Sequence, residues 1–278
     1  MALVLPGFIL FLIMVLAPLV LGAFYSFTDF DGLRPKFEFT GLANYAQAFR
    51  DVRVRGSVGV TLIIAIAAGV VTQVLGIALA LALNQPSRIT TALRTIVVFP
   101  MILSGVIVGF LWKALLNTDG VINQALGLFG IERILFLGQP VASLFTVIFV
   151  IVWHGLGFTT IVMLAGLAQV PRDLLEAARI DGANRVQLFR SVVFPMIAPA
   201  FTITSLVLVI SLLKEFEHVA TITAGGPAGA TRTLTLKLIQ DSQEPAYAAA
   251  QAVLMMLFIF AVTVVLVRPL QKRERNIL

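Results

Sequence analysis

Cysteine is absent from all 278 residues, which excludes disulfide frameworks, thiolate metal sites and cysteine nucleophiles. Histidine occurs only twice, at His154 and His218, too sparsely to suggest a metal centre, and no metal site is expected. No stretch fits G-x-x-x-x-G-K-[ST], so the chain lacks the phosphate cradle that ATP hydrolysis requires. No G-x-S-x-G occurs, and His154 has no carboxylate within its own apolar stretch. No catalytic residue is therefore assigned, and the chain is not read as an enzyme. Charge is scarce too, at 12% of residues. The net charge of +6 says less about nucleic acid, which is not an expected partner, than about where along the chain the cations sit.

What is present is apolar: 59% of residues are hydrophobic and the mean hydropathy is +1.00. Crossing a hydrocarbon layer takes about 20 apolar residues as a helix, because backbone polar groups must be satisfied within the segment. Six such stretches are expected, over 3–27, 58–83, 94–116, 141–168, 192–213 and 247–267, in one all-α polytopic membrane domain covering 1–278. The first reads as an anchor rather than a cleaved signal peptide, since its apolar run is long and no basic segment precedes it.

Loop charge gives an orientation. The short segments 84–93, 169–191 and 268–278, with Arg94, hold ten Lys and Arg against four acids. The opposite segments 28–57, 117–140 and 214–246, with Lys113, are about twice as long and balance ten cations with ten acids. Cation density points the short loops and both termini to the cytoplasm, although Arg50, Arg53 and Arg55 run against the rule. A cytoplasmic leader ahead of Met1 is expected, because the N-terminal end carries no basic residue.

Between two apolar stretches lies "LLEAARIDGANRVQLF", residues 174–189. Pro171 suits the first helical position, Asp173 the positive end of the helix dipole, and Gly182 a left-handed stop. Pro171, Leu174, Leu175, Ala178 and Gly182 fall on one face, and the Ala177-Ala178 pair admits a close backbone. An apolar stripe on so short a loop has no evident partner within it. Either a protein docks there or the helix lies on lipid headgroups.

The run "EAARIDGANRVQLFRSVVFPMIAP", Glu176–Pro199, resembles the EAA loop of the membrane subunits of binding-protein-dependent ABC importers. Glu176, Ala177, Ala178 and Gly182 match its motif. "GLANYAQAF" at 41–49, "FPMILSGVIVGFLWKALLNTDGVINQALG" at 99–127, "WHGLGFTTIVMLAGLAQVPRDLLEAA" at 153–178 and "TAGGPAGATRTL" at 223–234 are similar to the carbohydrate-uptake branch, which includes maltose, glycerol 3-phosphate and trehalose permeases. Ala224 departs from the pattern, where many members carry a further Gly.

The resemblance implies a type I importer permease of the bacterial inner membrane, forming half of a path for a sugar or sugar-like solute such as a disaccharide, amino sugar or glycerophosphate. It implies a second homologous permease subunit, two cytoplasmic ABC ATPases that bind ATP and Mg, and an extracytoplasmic solute-binding protein. This chain itself would hold no cofactor. The 169–191 loop would be the coupling loop, with Leu174, Leu175, Glu176, Ala177, Ala178, Asp181 and Gly182 contacting the ATPase.

For the solute path, Trp112, Trp153, Tyr247 and Gln251 have suitable chemistry: flat faces for pyranose rings and an amide for hydroxyls. Glu217, His218, Gly225, Gly226 and Pro227 are candidates to face the receptor or form an outer rim, with Lys214 and Glu215 in the same cluster, and Gly225–Gly229 reads as a turn. A secondary transporter is disfavoured because neither an ionisable residue or broken helix near the midplane nor a pair of matching halves is apparent. A channel lacks a filter-like loop or arginine-rich sensor helix.

Overall fold

The computed structural model describes residues 5–34 and 36–275. The first two residues of the expected span 3–27 and the last three of the chain lie outside them. Among the described residues the only β feature is an isolated antiparallel bridge between Thr28 and Phe39. The rest is helix and connection: α1 (Leu5–Tyr25), α2 (Ala43–Arg50), α3 (Val52–Leu83), α4 (Arg88–Val98), α5 (Gly105–Leu116), α6 (Val121–Leu128) and α7 (Pro140–Ala168). Then follow α8 (Arg172–Ile180), α9 (Arg185–Met196), α10 (Ala198–Leu213), α11 (Glu217–Ile222), α12 (Leu234–Gln240) and α13 (Pro245–Arg275). Five helical stretches are long and apolar enough to cross a membrane, or six if the bent pair α9–α10 forms one span.

Helix ends follow local chemistry. Asp51 caps α3, its carboxylate accepting the Arg53 N–H at 2.8 Å, so this helix starts six residues ahead of the expected 58. At its other end the Arg94 guanidinium donates to the Leu83 carbonyl, at 2.6 Å from Nη2 and 3.1 Å from Nε. This satisfies a terminal carbonyl and places a cation at the negative end of the dipole. Ser87 and Thr90 cap α4 reciprocally.

The core sits where α3, α7 and α10 meet, around Ile64, Ala68, Val147, Val150, Leu208 and Leu212. Lipid removes much of the hydrophobic drive for helix pairing, so such helices rely on close approach at small residues. Gly76 serves that end: a Cβ there would lie 2.5 Å from Thr159 Cγ2. At Gly166 it would lie 2.8 Å from Ala200 Cβ. A buried Gln73 Nε2–H donates to Thr204 Oγ1 at 2.9 Å, tying α3 to α10.

Two expected spans are corrected. The stretch 94–116 is not one helix: α4 ends at Val98, a 3₁₀ turn covers Phe99–Ile102, and Ser104 caps α5 by accepting the Val106 N–H at 3.3 Å. Pro100 lacks the N–H that would continue α4, and apolar character on both sides hides the break from a hydropathy reading. The long apolar element here is Gly105–Leu128. The stretch 192–213 is likewise divided, because α9 and α10 meet at a 70° bend. Pro199 has no N–H to donate to the Pro195 carbonyl one turn back, and Ile197 sits buried at the corner. The apolar stretch 192–213 is therefore broken at Ile197. The span expected over 141–168 differs from α7 by one residue, and that over 247–267 lies inside α13.

Candidate functional site

The 169–191 loop is built as expected from local signals, with one shift. Pro171 is the extended N-cap rather than the first helical residue, and α8 runs from Arg172 to Ile180 with Asp173 in its first turn and Arg179 in its last. Its end is a Schellman stop. The Gly182 N–H donates to the Arg179 carbonyl and the Ala183 N–H to the Ala178 carbonyl, both at 3.0 Å. Gly182 reaches φ +82°, open to glycine without Cβ strain, and Asp181 is the C-cap. Two residues on, Asn184 starts α9 with a capping box: its Oδ1 accepts the Val186 and Gln187 N–H groups, and Gln187 Oε1 accepts the Asn184 N–H.

The expected apolar stripe of α8 divides in two. Leu175 and Ala178 are half-buried, and Leu175 packs with Leu188 and Phe189 against the cluster of Met163, Leu167, Val170, Val193 and Ile197. Part of the stripe is thus covered by this chain. Leu174 is 47% exposed, Ile180 85% and Val186 64%, and Glu176, Ala177, Asp181 and Gly182 are exposed as well. Leu174, Glu176, Ala177 and Ile180 thus lie exposed on one well-stopped helix, with Asp181 and Gly182 at its stop and Val186 on α9.

At the other end of α10 the chain folds back through α11 and α12. The Gly225–Gly229 stretch is a turn, with Thr223 Oγ1 2.7 Å from Thr231 Oγ1, and Thr231 Oγ1–H donating to the Gly226 carbonyl at 2.9 Å. Gly225 is buried, and Gly226 and Pro227 are half-buried. Ala224 has φ +51°, so the departure from Gly falls where an L side chain is strained. Ala224→Gly is expected to stabilise the chain by about 0.5–1 kcal/mol, the relief of a left-handed alanine less the greater unfolded-state freedom of glycine. A melting temperature unchanged or lowered in the purified protein would contradict this.

The 214–218 cluster divides by burial. Lys214 and Glu217 are exposed, but His218 is only 6% exposed and the Glu215 side chain 11%. His218 lies between Glu215 and His154, because α11 folds back against α5 and α7 instead of extending α10. Sequence spacing shows the Glu215–His218 pair at i, i+3; nothing in it shows His154.

The four path candidates fall into two pairs. Trp112 and Trp153 pack edge to face with ring centroids 5.4 Å apart, and Phe149 stands 5.2 Å from Trp112. Tyr247 and Gln251 instead converge on a charged cluster that sequence reading missed. Lys237, 5% exposed, is ion-paired to Asp51 at 3.4 Å and to Asp241. The Tyr247 hydroxyl donates to Asp51 at 3.2 Å and Gln251 Nε2–H to Asp241 at 2.6 Å. Burial pushes the Asp51 carboxyl up, but the Arg53 N–H, the Lys237 ammonium and the Tyr247 hydroxyl outweigh it and hold it below the ordinary carboxylate value. Gln251 also borders a cleft of about 380 Å³ walled by Phe49, Val54, Val58, Leu254 and Phe258. The Lys237–Asp241 pair at i, i+4 was visible in sequence; Asp51, almost two hundred residues away, was not.

A family profile described as binding-protein-dependent transport system inner membrane component matches residues 72–276. The chain is 33% identical over 277 residues to the probable starch degradation products transport system permease protein AmyD of Thermoanaerobacterium thermosulfurigenes, covering 97% of this chain and 92% of that one. It is 33% identical to the multiple sugar-binding transport system permease protein MsmF of Streptococcus mutans, covering 92% and 90%. It is 29% identical to the trehalose/maltose transport system permease protein MalF of Thermococcus litoralis, covering 95% and 90%. Among solved structures, a bacterial ABC transporter involved in import of the acidic polysaccharide alginate superposes with TM-score 0.82 at 26% identity, covering 99% of this chain and 94% of that one. A bacterial alginate ABC transporter in complex with an alginate pentasaccharide-bound periplasmic protein superposes with TM-score 0.81 at 26% identity, covering 99% of this chain and 93% of that one. With its apolar helices, its projecting loop helix and these relatives along nearly its whole length, the chain belongs to the family of inner membrane components of binding-protein-dependent transport systems.

Proposed function

We propose that this chain is one half of the translocation path of an ATP-driven sugar importer, with α8 as the helix through which a separate ATPase drives it. The observation that carries the reading is the form of the 169–191 loop: a nine-residue helix held at its base by Leu175, stopped by Gly182, and presenting Leu174, Glu176 and Ile180 outward. The names of the relatives, which refer to transport of starch degradation products, multiple sugars, and trehalose and maltose, support a carbohydrate substrate. A second homologous permease completes the path, two ABC ATPases bind ATP and Mg, and a solute-binding protein delivers the sugar from outside. Cation density in the short loops supports cytoplasmic N- and C-termini, which puts α8 on the ATPase side.

For ATP to drive import, nucleotide and loaded receptor must each prefer one conformation of the complex, since equal affinity for both shifts nothing. Glu176 serves as the charged contact to a basic group of the ATPase. A hydrogen bond to a charged group is worth about 1.5–3 kcal/mol, so Glu176→Lys is expected to lower uptake and receptor-stimulated ATP hydrolysis about 10- to 100-fold. The amount of permease in the membrane should stay normal. Uptake at the wild-type rate, with the ATPase copurifying in full, refutes the assignment. Gly182→Leu should act the same way by removing the left-handed stop that aims α9.

A further inference from the structure

His154, His218 and Glu215 form a continuous chain of polar atoms with three gaps. His154 Nε2 lies 3.2 Å from the Leu103 carbonyl oxygen. His154 Nδ1 lies 3.0 Å from His218 Nε2, and His218 Nδ1 lies 3.1 Å from Glu215 Oε1. Each gap is of hydrogen-bond length and needs one hydrogen. The carbonyl at one end supplies none, and an ionised carboxylate at the other supplies none. Two neutral imidazoles carry one N–H each, so they fill two gaps and leave the third with lone pair facing lone pair.

A third hydrogen closes the chain, and it brings the group to zero net charge. The backbone N–H of His218 also donates to Glu215 Oε1, at 3.0 Å. That marks the oxygen as an acceptor and places the extra proton on the rings. We propose that His154, His218 and Glu215 form a proton-binding site, holding one shared proton as an imidazole–imidazolium pair balanced by the Glu215 carboxylate. The proton fastens three segments to one another: the 99–104 break through Leu103, α7 through His154, and the 214–222 return through His218. Because the rings share it, it leaves in one step that belongs to the pair rather than to either residue.

The surroundings offer no other ion to replace it. Gly105 is packed so tightly that a Cβ there would lie 3.2 Å from His218 Cε1 and 2.4 Å from Glu217 Oε2. Glu217 is thus the second carboxylate facing the site, itself exposed, as is Lys214. On the packed helices, α10 carries no charged residue, and α3 only Arg53 and Arg55 in its first turn. On α4, Arg94 is tied to Leu83, and on α5, Lys113 is exposed. A divalent metal between the two nitrogens fits less well. Two Zn–N bonds of about 2.0–2.1 Å at a tetrahedral angle hold their nitrogens about 3.3–3.4 Å apart, wider than the 3.0 Å here. Among the described residues no group of three or more His, Asp or Glu is placed to hold a metal.

The test is nitrogen NMR of the assembled transporter labelled with [15N]histidine, signals being assigned by their loss in His154→Gln and His218→Gln. Near neutral pH the two rings should carry three N–H hydrogens between them, and as the pH rises both should lose imidazolium character together in one step. Glu215→Gln keeps an acceptor but removes the balancing charge, so the step should move to lower pH by about one unit or more. Two neutral rings at pH 7, a step unmoved by Glu215→Gln, or a spectrum that changes on addition of EDTA would each overturn the proposal. None of these readouts uses transport, so the site stands or falls separately from the importer reading.

Discussion

Lys237→Met is expected to cost about 3–5 kcal/mol of stability, the range for removing one partner of a buried ion pair. The lysine stands between Asp51 and Asp241, 5% exposed, and its loss leaves two carboxylates facing one another with the Arg53 N–H, Tyr247 and Gln251 as the remaining donors. Three stretches of chain lose their tie at once: the start of α3, the end of α12 and the start of α13. Asp51→Asn should cost less, because the Lys237–Asp241 pair survives it. Thermal unfolding of the purified complex separates the two, and a Lys237→Met protein that melts no lower than Asp51→Asn would sink the argument. Acid probes the same cluster. The Asp51 carboxyl is held below its ordinary value, so its contribution is fully present above about pH 3.9 and is lost as pH falls through the lowered folded value.

Gly157→Val should be nearly as damaging, for a steric reason. A Cβ at Gly157 on α7 would lie 3.0 Å from both the Val97 carbonyl oxygen and Val98 Cα, backbone atoms of α4 that cannot rotate aside. The helix must slide off its neighbour, and overpacking of this kind costs about 1–3 kcal/mol, with valine at or beyond the upper end. Gly155, two residues earlier on the same helix, is the control. Its nearest atom for a new Cβ is Thr72 Cγ2 at 3.5 Å, ordinary contact, so Gly155→Ala should gain up to about 1 kcal/mol from helix propensity or change little. Equal melting of Gly155→Ala and Gly157→Val would contradict the packing argument.

These two sites show where reading a sequence stops. The 169–191 loop was legible because its signals are local: Pro171, Asp173 and Gly182 act within a few residues of themselves, and α8 formed where they placed it. Span α7 was legible because no proline interrupts its apolar run beyond Pro140. The 94–116 span was misjudged because hydropathy averages across Pro100, although the proline itself was in plain view. Asp51–Lys237 and His154–His218 were illegible for a different reason, since each joins elements whose adjacency only the three-dimensional fold decides. Tyr247 and Gln251 stand out in the sequence for the chemistry of their side chains, and the structure places them as donors to the half-buried Asp51 and Asp241.

The elbow at Ile197 has a mechanical consequence. A straight rod transmits tilt from one end to the other, whereas a jointed one does not. The corner is buried with Met163, Leu167 and Val193, and on the proposed drive through α8 a displacement would reach Arg185–Met196, a segment about 18 Å long set 70° from the helix that follows it. Ala198–Leu213 packs into the core through Leu208, Leu212 and Leu213, so the proposed drive would act across its axis rather than along it.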